Sequence, residues 1–197
     1  DLIVSESVND SPLLNVRADF EGHHYAFTTN LFGSYNLDNI RAAMATGVFF
    51  EVPFMEIIDA ISLYQPSNNR SQLLKTGDNL LICDSYNANP SSMAKALKAF
   101  SEISADKKMV ILGDMLELGA ETVTEHRKVT EMVEKLESTE VCLVGPLFGS
   151  QAEGRNFRIF GSSSDARQWL KEASLSGYTI LVKGSRGMML EKIYDVL

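Results

Sequence analysis

Residues 84–90 of this chain read Asp84-Ser85-Tyr86-Asn87-Ala88-Asn89-Pro90. They follow the apolar run 80–83, which is typical of a buried strand, and precede a stretch (91–100) whose apolar residues recur at helical spacing. Asn89 stands where a helix N-cap belongs, and Pro90 stands where the first helical residue belongs. The sequence therefore predicts a turn between a strand and a helix, built from side chains that donate and accept hydrogen bonds.

This turn has two interpretations. In open α/β sheets, ligands bind beyond the carboxyl ends of the strands, so the turn is a candidate binding site. Caps and turns draw on the same residue types, however. The alternative is that Asn89 caps the helix, Asp84 ends the strand and nothing binds. The turn by itself does not decide between the two.

From about residue 66 onward the chain alternates between predicted strands and predicted helices. This rhythm is that of βαβ units, and it indicates an α/β fold with a mostly parallel sheet and helices on both faces. Gly77 and Asp78 form a tight turn between the first two strands, so one edge of the sheet is expected to be antiparallel. The predicted strands are 72–76, 79–84, 108–112, 140–144, 157–160 and 179–183, and the predicted helices are 90–103, 122–137, 164–175 and 187–196.

The first part of the chain has a different pattern. Residues 12–29 alternate between apolar and polar on both sides of Gly22, which predicts a β-hairpin. Two helices are expected to follow it, one ending near Gly47 and one spanning 53–63. Near the start of the first helix, Asn36 and Asn39 lie three residues apart and share one helix face. Two amides on one face can pair with the edge of a base, although an N-terminal capping cluster is the alternative.

A polar stretch without periodicity, residues 64–71, is the best candidate for a domain boundary. We therefore expect two domains, residues 1–65 and residues 66–197. Arg70 lies in the boundary stretch. It is either a solvated arginine of a linker or a group that reaches a phosphate.

Composition limits the classes of partner. The chain has 197 residues, 45% of them hydrophobic and 22% charged, and its net charge of −8 argues against nucleic acid or an anionic membrane as the main partner. No apolar run approaches the length of about 20 residues that a membrane span needs, and no signal peptide opens the sequence, so we expect a cytoplasmic protein. Cys83 and Cys142 lie in predicted strands and form neither a disulfide framework nor a zinc site. The chain does not begin with Met, and we expect it to be a fragment of a longer protein.

Two further strand ends carry polar loops. Residues 112–119 read Leu112-Gly113-Asp114-Met115-Leu116-Glu117-Leu118-Gly119, and residues 183–187 read Lys183-Gly184-Ser185-Arg186-Gly187. Because parallel strands share one carboxyl end, these loops and the Asp84 turn are predicted to open on the same edge of the sheet. The sequence contains neither a Gly-x-x-x-x-Gly-Lys-[Ser/Thr] phosphate loop nor a Gly-x-Gly-x-x-Gly motif. If a nucleoside triphosphate is used, its phosphates are therefore cradled elsewhere.

Taken in order along nearly the whole chain, these motifs resemble those of the Mur ligase family. The motifs that carry the resemblance are Gly33-x-x-Asn36-x-x-Asn39, Arg70, Asp84 to Pro90, Leu112 to Gly119 followed by His126, and Lys183-Gly184-Ser185. The turn 86–90 and the loop 113–119 are most similar to the branch that adds D-alanyl-D-alanine. The resemblance implies that residues 1–65 are the tail of a central P-loop ATPase domain and that 66–197 form a Rossmann-like C-terminal domain.

The resemblance also implies an activity. Enzymes of this branch join D-alanyl-D-alanine to UDP-N-acetylmuramoyl-tripeptide through an acyl phosphate, and they use ATP and Mg²⁺. The phosphate loop and the metal ligands of the family would lie outside this chain, so by itself the chain is expected to be inactive and to hold no metal. A monomer is expected, with no nucleic-acid or membrane partner.

The resemblance assigns roles to ten residues. On the nucleotide side, Asn39, with Asn36 beside it, would face adenine, Arg70 would reach a phosphate and Asp84 would accept from the ribose hydroxyls. The residues that would line the D-alanyl-D-alanine side are Tyr86, Asn87, Asn89, Asp114, Ser185 and Arg186. For His126, packing or capping is favoured over catalysis.

Two other functions remain open at this point. One is a stand-alone Rossmann-like binding module that carries out no chemistry. The other is a related ATP-dependent ligase with a different acceptor, such as folylpolyglutamate synthase. The turn 86–90 argues against the second.

Overall fold

A computed structural model describes residues 1–7, 12–137 and 139–197. The chain divides into two compact units, Asp1–Pro66 and Ser67–Leu197. Each unit contains its own β-sheet, one of three strands and one of six. Within the described ranges, no helix is both long enough and apolar enough to cross a bilayer.

The first unit is an antiparallel sheet with helices packed against it. Strands β1 (Leu2–Glu6), β2 (Leu13–Phe20) and β3 (His23–Phe32) lie in that order, and a 3₁₀ turn (Ser34–Asn36), α1 (Leu37–Phe49) and α2 (Phe54–Leu63) follow. Alternate residues of β2 point at the helices. The resulting core contains Val16, Ala18, Ile40, Met44, Ile57 and Ile58. The predicted hairpin and both helices are confirmed, whereas β1 was not predicted from the sequence.

The second unit is built on a six-stranded sheet with the order β4-β5-β9-β6-β7-β8. Every neighbouring pair is parallel except β4 and β5, which are joined by a turn at Gly77 (φ 55°). The predicted mostly parallel sheet and its antiparallel edge are thus confirmed. The strands are β4 (Gln72–Thr76), β5 (Asn79–Asp84), β6 (Lys107–Gly113), β7 (Thr139–Val144), β8 (Arg158–Phe160) and β9 (Tyr178–Lys183).

Helices cover both faces of this sheet. They are α3 (Pro90–Ser101), α4 (Thr122–Glu134), the short α5 (Pro146–Gly149) and α6 (Ser163–Ala173). Successive strand residues point to opposite faces, and those of the central strands are buried on both. Cys83 and Val182 pack in one cluster with Leu170 of α6. Ile82 and Leu181, which point the other way, are fully buried as well.

The C-terminal segment differs from the predicted helix 187–196. It consists of two 3₁₀ segments, Arg186–Met188 and Leu190–Val196. Met189 lies between them with φ 50°, a left-handed conformation that an α-helix cannot contain. The prediction was therefore wrong in helix type, although Leu190 and Ile193 are buried as its apolar periodicity requires.

One buried side chain, that of Asn79, forms hydrogen bonds with three separate parts of this unit. Asn79, 2% exposed at the start of β5, donates to the carbonyl oxygens of Leu175 (3.0 Å) and Leu197 (3.1 Å). Its Oδ1 accepts from the backbone N–H of Tyr178 at 2.9 Å. Every hydrogen bond of this amide therefore goes to a backbone group at an element end.

We predict that Asn79→Ala lowers the free energy of unfolding by about 2–4 kcal/mol, because it leaves buried backbone groups without partners. Urea denaturation measures the change. The matched control is Gln168→Ala, which also removes an amide but breaks only an exposed bond to Glu172, and which is expected to cost under about 0.5 kcal/mol. Equal effects of the two substitutions would contradict the assigned role of Asn79.

Candidate functional site

Three polar loops meet at one edge of the six-stranded sheet. They follow β5, β6 and β9, which are neighbouring parallel strands and therefore end on the same side. Two hydrogen bonds join the loops after β6 and β9. The N–H of Ser185 donates to the carbonyl of Asp114 (3.2 Å), and the N–H of Leu116 donates to Ser185 Oγ (2.9 Å). The predicted convergence of the three loops is confirmed.

A buried ion pair joins the ends of β5 and β9. Lys183 lies opposite Asp84 in the register of the two strands, and its Nζ is 2.6 Å from Asp84 Oδ2. The Lys183 side chain is 2% exposed and that of Asp84 is 15% exposed. The same ammonium lies 3.3 Å from the carbonyl oxygen of Asn87. Lys183 thus holds the carboxylate of Asp84 and the turn that follows it in one arrangement.

The second oxygen of Asp84 fixes the segment 67–71. Asp84 Oδ1 accepts from the N–H of Ser71 at 3.2 Å, and the N–H of Tyr86 donates to the carbonyl of Asn69 at 3.2 Å. Asn68, Asn69 and Ser71 all have left-handed φ values of 50–57°. Asparagine adopts this conformation readily, whereas for Ser71 it costs roughly 1 kcal/mol or more. The bonds from the Asp84 turn therefore maintain a strained segment, and Arg70 lies inside it.

Two guanidinium groups surround the ring of Tyr86. The guanidinium carbon of Arg70 is 3.8 Å from the ring centroid, and that of Arg186 is 5.4 Å from it. Hydrogen bonding and positive charge from Arg70, with a smaller contribution from Arg186, hold the pKa of the Tyr86 phenol below its usual value. Both arginines are exposed. The ring thus brings together one arginine from the segment 67–71 and one from the loop after β9.

Asp114 is a buried organiser of the edge. It is 1% exposed, and its carboxylate accepts from the N–H groups of Leu147 (3.0 Å) and Phe148 (2.8 Å) in the first turn of α5. Gly145, just before α5, has φ 119°, and a Cβ there would overlap this carboxylate. Asp114 therefore fixes the turn into α5 from inside the protein.

His126 supports the same loop. Its Nδ1 lies 2.7 Å from the carbonyl of Thr122 and so carries the proton, which leaves Nε2 to accept from the N–H of Met115 at 3.0 Å. The ring is fully buried and lies edge-on to Phe148. Both nitrogens are used within the protein, which agrees with the predicted packing or capping role.

Both asparagines of the Asp84 turn use their side-chain oxygen to accept a backbone N–H of the turn or of α3. Asn89 caps α3, because its Oδ1 accepts from the N–H of Ser92 (2.9 Å) and its own N–H donates to Ser92 Oγ (3.1 Å). The predicted N-cap is confirmed. The Oδ1 of Asn87 accepts from the N–H of Ala88 at 2.8 Å, and the residue is exposed.

In the first unit, the two candidate asparagines contact each other. Asn36 is buried, donates to the carbonyl of Phe32 (2.8 Å) and accepts from Asn39 Nδ2 (3.1 Å). Asn39 is exposed on the first turn of α1. Asn36 therefore orders the start of the helix, and Asn39 is the member of the pair that a ligand can reach.

Neither a reactive thiol nor a metal site is indicated among the described residues. Burial raises the pKa of both thiols, Cys83 and Cys142, to about 12, so neither is a thiolate near neutral pH. In the part of the chain that the structure describes, no group of three or more His, Cys, Asp or Glu side chains could hold a metal ion.

Sequence reasoning missed two residues at this edge, Lys183 as the partner of Asp84 and Ser71 as a donor to it. Lys183 was recognised only as part of a loop motif. The missing signal is strand register. That register places the last residue of β9 opposite the last residue of β5, and no local sequence pattern records it.

Comparison with known proteins places this geometry in a family. Residues 69–186 match the family model described as "Mur ligase, glutamate ligase domain". A UDP-N-acetylmuramoyl-tripeptide–D-alanyl-D-alanine ligase of Bacillus subtilis is 33% identical over 94% of this chain and 44% of its own length. The ligase of the same name from Treponema pallidum is 33% identical over 84% of this chain and 37% of its own length. The chain thus spans less than half the length of these relatives.

Solved structures share the fold. A MurF ligase of Thermotoga maritima in complex with ADP has a TM-score of 0.82 at 16% identity, covering all of this chain and 45% of that one. MurF from Acinetobacter baumannii has a TM-score of 0.80 at 23% identity, covering 92% of this chain and 42% of that one. The family model covers more than half of the residues, including the loops after β5 and β6 and the loop after β9 as far as Arg186, and so the chain belongs to the Mur ligase family.

Proposed function

We propose that this chain is the C-terminal part of an ATP-dependent ligase that joins D-alanyl-D-alanine to UDP-N-acetylmuramoyl-tripeptide in the synthesis of peptidoglycan precursors. The observation that carries the proposal is the 33% identity, over 94% of the chain, to a Bacillus subtilis ligase of that name. That relative's name also favours this acceptor over the one used by folylpolyglutamate synthase. Residues 1–65 would be the end of the ATP-binding domain and residues 66–197 the C-terminal domain, in a monomeric cytoplasmic enzyme.

The proposed reaction has two steps. A carboxylate oxygen of the tripeptide attacks the γ-phosphorus of ATP, which forms an acyl phosphate and releases ADP. The amine of D-alanyl-D-alanine then attacks the acyl carbon, and phosphate leaves from the tetrahedral intermediate. Such chemistry depends on positioning and on neutralising phosphate charge. Mg²⁺ would accompany ATP, and its ligands would come from the part of the enzyme outside these residues.

On the nucleotide side, Asp84 would accept hydrogen bonds from the ribose hydroxyls of ATP. Its carboxylate is held by Lys183 and by the Ser71 N–H but remains partly exposed, and a carboxylate can accept about four hydrogen bonds. Asn39, the exposed member of the asparagine pair, would face adenine while Asn36 orders it. Arg70 would bind a phosphate.

On the acceptor side, the proposal rests on the exposed groups of the sheet edge. Tyr86 is half-buried, and Asn87, Asn89 and Arg186 are exposed, so each can contact a dipeptide. Asp114 and Ser185 are buried and would act indirectly, by holding the loops that carry the other residues.

The direct test is a ligation assay on the full-length protein. With ATP, UDP-N-acetylmuramoyl-tripeptide and D-alanyl-D-alanine, we expect release of phosphate and formation of the pentapeptide product. The 197-residue chain alone should release no phosphate, because it has no phosphate-loop motif. A full-length protein that ligates a different acceptor, or phosphate release by the short chain, would contradict the proposal.

A second prediction concerns Lys183 in the full-length enzyme. Lys183→Met should raise the KM for ATP about tenfold, because the carboxylate of Asp84 loses the cation that orients it. The fold should also lose about 3–5 kcal/mol, since a charge is left buried without its partner.

The double variant Asp84→Asn/Lys183→Met separates the two effects. Removing both charges should restore most of the stability, while the KM for ATP stays high because no carboxylate accepts the ribose hydroxyls. Thermal melts and ATP kinetics on the same samples measure both. If the KM recovers together with the melting temperature, the pair is only structural.

A further inference from the structure

The ring of Tyr86 joins two residues that the proposed function assigns to different substrates. Arg70 belongs to the nucleotide side and Arg186 to the acceptor side, yet both guanidiniums lie against this one ring, at 3.8 and 5.4 Å from its centroid. Their carbons are therefore at most about 9 Å apart. A phosphate bound bidentately by two guanidiniums holds their carbons at most about 8 Å apart, since each bidentate pair places carbon and phosphorus about 4 Å from one another.

Neither arginine is neutralised by the protein. Within residues 1–7, 12–137 and 139–197, Arg70 and Arg186 make no ion pair with a carboxylate, whereas Arg41, Arg155 and Arg167 each do. The nearby Lys183 is already paired with Asp84. In a chain of net charge −8, two unpaired guanidiniums at one point make a local positive site that favours an anion.

Hydrogen bonds also hold the backbone around each of the two arginines in place. Arg70 lies in the strained segment whose backbone is tied to Asp84 and to the N–H of Tyr86. Arg186 directly follows Ser185, whose side chain and N–H are bonded to the loop after β6. Fixed backbones on both sides reduce the entropy that two arginines lose when they close on one ligand.

We propose that Arg70, Tyr86 and Arg186 form a single oxyanion site, in which the Tyr86 ring is a positioning residue that holds both guanidiniums toward the same group. The proposal rests on the proposed function and deepens it. The site takes either the phosphoryl group that is transferred or the terminal carboxylate of the dipeptide, each of which presents a pair of negatively charged acceptor oxygens to a guanidinium. Both guanidiniums would therefore bind a group that lies where the two substrates meet.

The lowered pKa of the Tyr86 phenol agrees with such a site, because the two arginines stabilise negative charge at its oxygen. An anion bound between them neutralises that positive charge. The pKa of Tyr86 should then rise toward its usual value. This response provides a readout that needs no ligation activity.

The first experiment titrates Tyr86 in the full-length protein. The tyrosinate absorbance of the Tyr86→Phe variant is subtracted from that of the wild type, with inorganic phosphate or with chloride at equal ionic strength. We expect the pKa of Tyr86 to rise in Arg70→Ala and in Arg186→Ala, and to rise in the wild type when phosphate replaces chloride. A pKa that does not respond to phosphate overturns the anion site, even if the arginine variants shift it.

The second experiment is a double-mutant cycle on ligation kinetics with Arg70→Ala, Arg186→Ala and both together. If one anion contacts both arginines, the combined loss should differ at least threefold from the product of the single losses. A loss seen in the KM for ATP or in kcat identifies the phosphoryl group, and a loss seen in the KM for D-alanyl-D-alanine identifies the carboxylate. Independent losses overturn the single site.

Two variants test the ring itself. Tyr86→Phe keeps the aromatic face and should retain most of the coupling between the arginines, whereas Tyr86→Leu should abolish it. The control is Arg158→Ala, which removes a guanidinium stacked at 4.5 Å on Trp169 and should leave both KM values unchanged. An inactive wild-type enzyme would count against the proposed function, whereas the titration tests the anion site independently.

Discussion

The buried pair between Lys183 and Asp84 is the interaction on which the candidate site depends. It joins the ends of two neighbouring parallel strands at 2.6 Å, and a charged pair in such a place is costly to break but contributes little net stability. The main effect of the pair is therefore to hold the neighbouring segments in position. Through Asp84 it fixes Ser71, and through the carbonyl of Asn87 it fixes the turn before α3.

Other buried polar groups also hold loops in place at this edge of the sheet. A buried carboxylate, Asp114, builds the turn into α5, and Ser185 ties the loop after β6 to the loop after β9. Buried polar groups that are fully satisfied make such loops rigid. The exposed side chains, among them Arg70, Tyr86 and Arg186, are thus presented from backbones that are already ordered, as a site that acts by positioning requires.

The sequence predicted much of this fold because the decisive signals are local. Apolar runs located the strands, and Asn89 and Pro90 located the start of α3. The convergence of three loops followed from parallel strands alone. What local patterns could not show were contacts set by register and tertiary packing, such as Lys183 on Asp84 and Asp114 on α5. For the same reason, the left-handed Met189 that divides the C-terminal helix was not foreseen.

The most direct test of the account is whether Asp84 contacts the ribose. In the full-length enzyme, kcat/KM should be measured for ATP, 2′-deoxy-ATP and 3′-deoxy-ATP with the wild type and with Asp84→Asn. We predict that the wild type loses about tenfold or more on at least one deoxynucleotide, since a charge-assisted hydrogen bond contributes roughly 1.5–3 kcal/mol. Asp84→Asn should discriminate less among the three nucleotides, because its amide oxygen accepts only neutral hydrogen bonds. Undiminished discrimination against deoxynucleotides in Asp84→Asn would contradict the account.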